Sequence, residues 1–183
     1  RSAEIGAQLK VARGSARATF FNIDVTDEIH LDPLTTGIGN TNLPPSRRRG
    51  IELEGRWRAF DPLALNAAYT YTDAVFREGV LPGGAFTATN VAIGGRSVPL
   101  VPRHKANFGA SWAYTPATRL NASAVYVGQQ FMDNDEGNTF GAKMPTYVVA
   151  DLKLTHAVGQ LRVSAAVNNL FNRRYYNYAV RSQ

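Results

Sequence analysis

Five residues in loop-like stretches have the chemistry of a ligand contact: Phe76, Arg77, Phe86, Arg96 and Phe140. An arginine fork makes charge-assisted bonds to anionic oxygens, and an aromatic ring offers an apolar face beside it. An anionic, ring-bearing ligand would suit this set. The competing reading is ordinary loop solvation and loop–loop packing. A second cluster, Asp133-Asn134-Asp135-Glu136-Gly137-Asn138, has the oxygen ligands of a hard cation. Asp133 and Asp135 are the weak calcium candidates. An EF-hand loop starting there needs glycine at position 138 and glutamate at position 144, where the chain has Asn138 and Met144. A solvated acidic loop is therefore the favoured reading, and no metal site is assigned.

Other chemistry is thinly represented. The chain has no cysteine, which removes disulfides, thiolate zinc sites and a cysteine nucleophile. His30, His104 and His156 show neither a metal-ligand spacing nor a Ser/His/Asp arrangement. Gly83-Gly84 and Gly94-Gly95 lack the strand–helix setting of a phosphate loop. The reading is of a non-enzyme with no catalytic residues and no cofactor. A net charge of +6 would permit nucleic acid. The arginines are scattered, however, with Arg47-Arg48-Arg49 as their one cluster. No nucleic-acid partner is expected. That cluster would suit an anion contact, although charge lining a wall of strands is the favoured reading.

The elements that would position these residues are strands. Eight segments alternate apolar and polar residues. The clearest sets Ile51, Leu53, Gly55 and Trp57 against Glu52, Glu54, Arg56 and Arg58. Another sets Ala106, Phe108, Ala110, Trp112 and Tyr114 against Lys105, Asn107 and Ser111. In the second segment Phe20-Phe21 breaks the alternation, and a β-bulge is one way to absorb the slip. Short turns at 12–15, 60–62, 115–118 and 158–160 alternate with long loops at 27–48, 73–102 and 129–146.

Strict short–long alternation, strands of about ten residues and aromatics near strand ends are the pattern of an outer-membrane β-barrel. No run approaches the roughly eighteen apolar residues of a spanning helix. The expected fold is all-β: an antiparallel transmembrane β-barrel segment of about eight strands. A soluble β-sandwich binding module is the rival, and its Greek-key connections would scramble the alternation. With short turns periplasmic and long loops outside, both chain ends fall at the extracellular rim. The expectation is that 1–183 is a partial barrel, with further strands on both sides.

The order of motifs resembles the TonB-dependent outer-membrane receptors. Phe20-Phe21-Asn22-Ile23-Asp24-Val25-Thr26-Asp27-Glu28-Ile29, Arg48-Arg49-Gly50-Ile51-Glu52-Leu53-Glu54 and Val101-Pro102-Arg103-His104-Lys105 resemble successive strands of that family. Tyr147-Val148-Val149-Ala150-Asp151-Leu152-Lys153-Leu154, followed by Val167-Asn168-Asn169-Leu170-Phe171-Asn172-Arg173-Arg174-Tyr175, resembles its C-terminal signature. The resemblance implies a 22-stranded barrel with an N-terminal plug in the outer membrane of a Gram-negative bacterium. It implies uptake of a ferric siderophore or similar scarce chelate, energised by the TonB complex through an N-terminal region this chain lacks. Implied partners are the chelate, outer-membrane lipid and lipopolysaccharide, and TonB. A passive porin-like barrel is the alternative within the membrane reading.

Overall fold

The computed structural model describes residues 1–31, 40–81 and 90–181. Its strands, in chain order, are β1 Ser2–Val11, β2 Gly14–Val25, β3 Glu28–Leu31, β4 Asn40–Leu43, β5 Ser46–Phe60 and β6 Leu63–Phe76. There follow β7 Val80–Leu81, β8 Val91–Ala92, β9 His104–Ala113, β10 Thr118–Val127, β11 Tyr147–Val158 and β12 Leu161–Val167. Eight of them form one antiparallel sheet in the order β1-β2-β5-β6-β9-β10-β11-β12. These are the eight alternating segments of the sequence. The sheet is open, with β1 and β12 as its edges.

Alternation places one residue set on each face. Cross-strand register aligns Leu53 with Tyr69, Tyr69 with Ala106, Ala106 with Tyr126 and Tyr126 with Val148. The next row aligns Gly55, Ala67, Phe108, Ala124 and Ala150. The apolar residues of successive strands therefore share one face, and Glu52, Glu54, Arg56, Lys105, Asn107 and Asp151 share the other. On interior strands, Trp57, Phe108 and Leu154 of the apolar face are 56%, 47% and 45% exposed. Exposure on that scale across a sheet is expected of a lipid-facing surface. The chain thus forms a segment of a transmembrane β-barrel.

The break in alternation at Phe20-Phe21 is not absorbed by a bulge. Register runs unbroken from Gly14 to Ile23 against β1 and from Gly14 to Val25 against β5. Phe21, Ile23 and Val25 instead lie on the polar face, and the Phe21 ring covers the open side of Gly50. The register irregularity lies at Arg58–Phe60.

The short connections have local causes. Gly159, at φ 57°, supplies the left-handed residue of the two-residue β11–β12 turn. The Thr115 hydroxyl oxygen accepts the Thr118 amide at 3.0 Å and closes the β9–β10 turn. At the other end, β5 and β6 run further into the long loops than the sequence indicated. Arg47, Arg48, Arg49 and Phe76 are all strand residues. The hairpins β3–β4 and β7–β8 lie within the first two loops. Among the described residues the main buried apolar cluster is Ala74, Phe76, Ile93 and Val98, with Leu43, Val91 and Val101 against it. The core therefore sits where the second loop folds back onto the end of β6.

Candidate ligand-binding loops

The three long connections are bound together at one end of the sheet. Glu28 on β3 accepts two bonds from Arg48 Nη2, at 2.8 and 2.7 Å, which ties the first loop to β5. His30 Nε2 lies 3.5 Å from Glu136 Oε1 and 4.0 Å from Asp133 Oδ1 without a hydrogen bond, so the first loop packs against the third there. The Ser97 amide donates to Asn138 Oδ1 at 2.7 Å, and Asn138 Nδ2 donates back to the Ser97 carbonyl at 3.0 Å. That reciprocal pair joins the second loop to the third. Asn138 can take this role because it occupies the left-handed region, at φ 53°.

The acidic stretch folds as a turn. Asp135 is 1% exposed, and its Oδ1 accepts the amides of Thr139 at 2.6 Å and Phe140 at 3.3 Å. Burial pushes its carboxyl above the ordinary carboxylate range, against the lowering effect of those two amides and of Arg181 and Lys143. Asp133 Oδ2 accepts the Tyr178 hydroxyl at 2.8 Å. That bond pushes the Tyr178 phenol up, because losing the proton forfeits it beside a carboxylate. The two calcium candidates are thus committed to different protein donors. Among the described residues no group of three or more histidine, cysteine, aspartate or glutamate side chains has the arrangement to hold a metal ion.

The five ligand-contact candidates are separated by the fold. Phe76 is fully buried between the sheet and the second loop. Arg77 Nη1 lies 3.7 Å from Asp24 Oδ1 and is turned to the apolar, outward side of the sheet. Arg96 is exposed, and its carbonyl accepts the Phe76 amide at 2.9 Å. Phe140 is partly buried with the Arg181 guanidinium 5.3 Å from its ring centre. Phe86 lies outside the described residues. Arg96 and Phe140 therefore belong to the loop cluster, Phe76 supports it from beneath, and Arg77 lies outside it.

Several contributors were not singled out from the sequence. Lys143 Nζ sits 4.2 Å over the Phe131 ring, and Met144 is buried beside the Gln130–Met144 bridge. After β12 the chain crosses the third loop, where the Ala179 carbonyl accepts the Asp133 amide and Arg181 exchanges bonds with Asn134. The asparagine-rich stretches hinted at these turns, since Asn138, Asn169 and Asn172 all have positive φ. The two halves of the C-terminal signature also touch. The Asn169 amide donates to Asp151 Oδ1 at 2.7 Å, and the Tyr147 and Tyr175 rings stack at 4.6 Å. Motifs separated in sequence thus form one latch between β11 and the chain beyond β12.

An antiparallel sheet with one lipid-type face, short turns at one end and knitted long loops at the other defines an outer-membrane-type barrel wall. The family model for TonB dependent receptor-like, beta-barrel proteins matches residues 1–170, and the chain belongs to that family. The metal-pseudopaline receptor CntO of Pseudomonas aeruginosa is 27% identical over 186 residues, covering 96% of this chain and 24% of its own length. The ferrichrome outer membrane transporter/phage receptor of Escherichia coli is 26% identical over 138 residues, covering 70% of this chain and 16% of its own. The chain thus spans about a quarter of the full-length curated relatives it matches. The siderophore receptor PiuA from Acinetobacter baumannii has the same fold. Its TM-score is 0.76 at 24% identity, over 97% of this chain and 25% of PiuA.

Proposed function

We propose that this chain is part of the barrel wall and loop cap of an outer-membrane receptor that imports a ferric siderophore or similar metal chelate. The carrying observation is that all three long loops meet at one end of the sheet, by the hydrogen bonds of Ser97 with Asn138 and the close packing of His30 against Glu136. That end is extracellular in this reading, and the face bearing Glu52, Arg56 and Asp151 lines the lumen. Arg96, Phe140, Lys143 and Arg181 supply the positive charge and aromatic surface of a chelate contact. The named ligands of the relatives, metal-pseudopaline and ferrichrome, support a chelate rather than a free ion.

The open sheet would be completed by further strands of a larger barrel, with a plug and a TonB-contacting segment elsewhere in the protein. A soluble sandwich is disfavoured by the apolar face, which no second sheet covers among the described residues. The test is growth on chelated iron as sole iron source in a Gram-negative strain lacking the receptor gene. Restoring the gene should restore growth, and deleting TonB should abolish it. Uptake that persists without TonB would overturn the receptor reading in favour of a passive porin.

A further inference from the structure

The lumen-side face at the short-turn end carries a recess that the loop cap does not explain. It holds about 850 Å³, and its lining includes Arg13, Ser15, Arg56, Arg58, Asn66 and Ser111. Period two puts Arg56 and Arg58 on the same face of β5 as Glu52 and Glu54. Register sets Ser15 and Asn66 on either side of Arg56, with Ala64 and then Ser111 beyond Arg58. Small residues around two long guanidiniums leave the hollow. Gly109 adds room. A Cβ there would stand 2.5 Å from Asn66 Oδ1, so the amide can lie against the sheet only because the glycine has none.

Positive charge is in excess there. The Arg58 amide donates to the Arg13 carbonyl at 2.7 Å, which holds the β1–β2 turn against β5 and brings Arg13 to the recess. Arg13 Nη2 lies 3.9 Å from Asp61 Oδ1 with both side chains exposed, so water screens that pair. Among the described residues Arg56 and Arg58 have no ion pair. Glu54, the next acid along β5, is set opposite Arg17, and Lys10 is set opposite Ser15. Five cations therefore stand against two carboxylates. Guanidinium forks, two hydroxyls and an amide are the donors of a carboxylate or phosphate site. The volume is that of a small-molecule site.

We propose that this recess is a second anion site of the receptor, holding the chelate in transit, as an anion, after it leaves the loop cap. From Ser46 at the loop end of β5 to Arg58 is twelve strand residues, about 40 Å, so the two sites are separate. A chelate whose oxygen donors carry more negative charge than its metal carries positive is itself an anion. Two forks on one strand suit its carboxylate or catecholate edge. An acidic protein segment would need a positive groove running on across several strands. Along its row, however, Arg56 gives way to Asn66, Gly109, Ser123 and then Asp151. The inference rests on the chelate-receptor reading given under Proposed function.

The test uses the intact receptor in mild detergent, with citrate as the probe and calorimetry as the readout. Arg96→Gln/Arg181→Gln is introduced first, to silence the loop cap. In that background citrate should bind, and more weakly as salt is raised. Adding Arg56→Gln/Arg58→Gln should lower its affinity about tenfold. Ser15→Asp, which puts a carboxylate into the recess, should lower it as well. All variants should keep the folded, heat-modifiable band on a gel. Citrate affinity unchanged by both recess variants, or no citrate binding in the loop-cap background, overturns the site. In cells whose receptor is otherwise native, Arg56→Gln/Arg58→Gln should slow uptake of radioactive iron, supplied as the chelate that supports growth, several-fold. Surface binding to energy-depleted cells should hold. Unchanged uptake overturns the transit role. A rise in ion conductance through the variant receptor in a planar bilayer would mean that the arginines fasten an acidic segment inside the lumen, and overturns the assignment to the chelate. Failure of TonB-dependent growth with citrate binding intact overturns the proposed function and leaves the anion site. Growth without citrate binding overturns this site alone.

Discussion

Asp135 is the residue on which the third loop turns. Its Oδ1 accepts two amides, while its buried Oδ2 has no hydrogen-bond partner. Because its carboxyl is raised by folding, protonation stabilises the folded loop. That stabilisation is fully present below the unfolded carboxylate value near 3.8 and is lost as pH rises through the folded value. Asp135→Asn keeps the acceptor and removes the buried charge, so the loop should hold at neutral pH and lose this pH dependence. Asp135→Ala should weaken it by about 1–3 kcal/mol. Hydrogen exchange at the Thr139 and Phe140 amides measures both, and a neutral-pH loss in the asparagine variant equal to that in alanine would contradict the role given to Oδ1. Neither this turn nor the His30–Glu136 contact was legible beforehand. Aspartate-rich stretches look alike until a backbone closes on them, and His30 meets Glu136 through packing of loops far apart in sequence. The Arg47-Arg48-Arg49 run is different, because period two alone divides it. Arg48 turns to the lumen side and Glu28, while Arg49 turns outward to Asp73.

Strands reward face assignment with quantitative predictions. Leu53 lies on the outward face and Glu52 on the lumen face. Leu53→Arg places charge against lipid and should cost about 2–4 kcal/mol near mid-bilayer, whereas Glu52→Arg should cost far less. Folded barrel yield of the intact receptor on a heat-modifiability gel compares them, and equal yields would refute the assignment. Glycines provide a second contrast. A Cβ on Gly50 would meet the Tyr71 carbonyl oxygen and the Phe21 ring, but one on Gly55 meets nothing within 4 Å. Gly50→Val should therefore reduce folded yield sharply while Gly55→Val is tolerated. The same assay decides. The eight strands and their short turns were readable because barrel strands advertise a period of two and their turns need few residues. The extension of β6 through Phe76 was not readable, since Phe76 stays in the strand by packing on Ile93 and Val98 from the returning loop.

At the scale of the whole molecule, the sheet has two unpaired edges and an uncovered apolar face among the described residues. Both are open to association with other chains. The isolated 183-residue chain should accordingly aggregate without detergent, and light scattering should show no monodisperse monomer. A soluble, folded monomer would contradict the lipid-facing reading. The loop cap is likewise a property of the assembly. Arg96, Phe140 and Arg181 approach one region because Asn138 and the segment after β12 draw their loops inward.

The sequence by itself determined the eight main strands, the pairing of those joined by short turns and the two faces, because a period of two is written in adjacent residues and a short turn leaves one neighbour to pair with; pairing across the long loops came from the structure. It also carried the family resemblance, whose signature halves turn out to be the two sides of the Asp151–Asn169 contact. The tertiary structure alone decided where the loop residues lie relative to one another. Burial of Phe76, outward pairing of Arg77 and the meeting of His30 with Glu136 depend on how distant loops fold back over the sheet, and no local periodicity encodes that path.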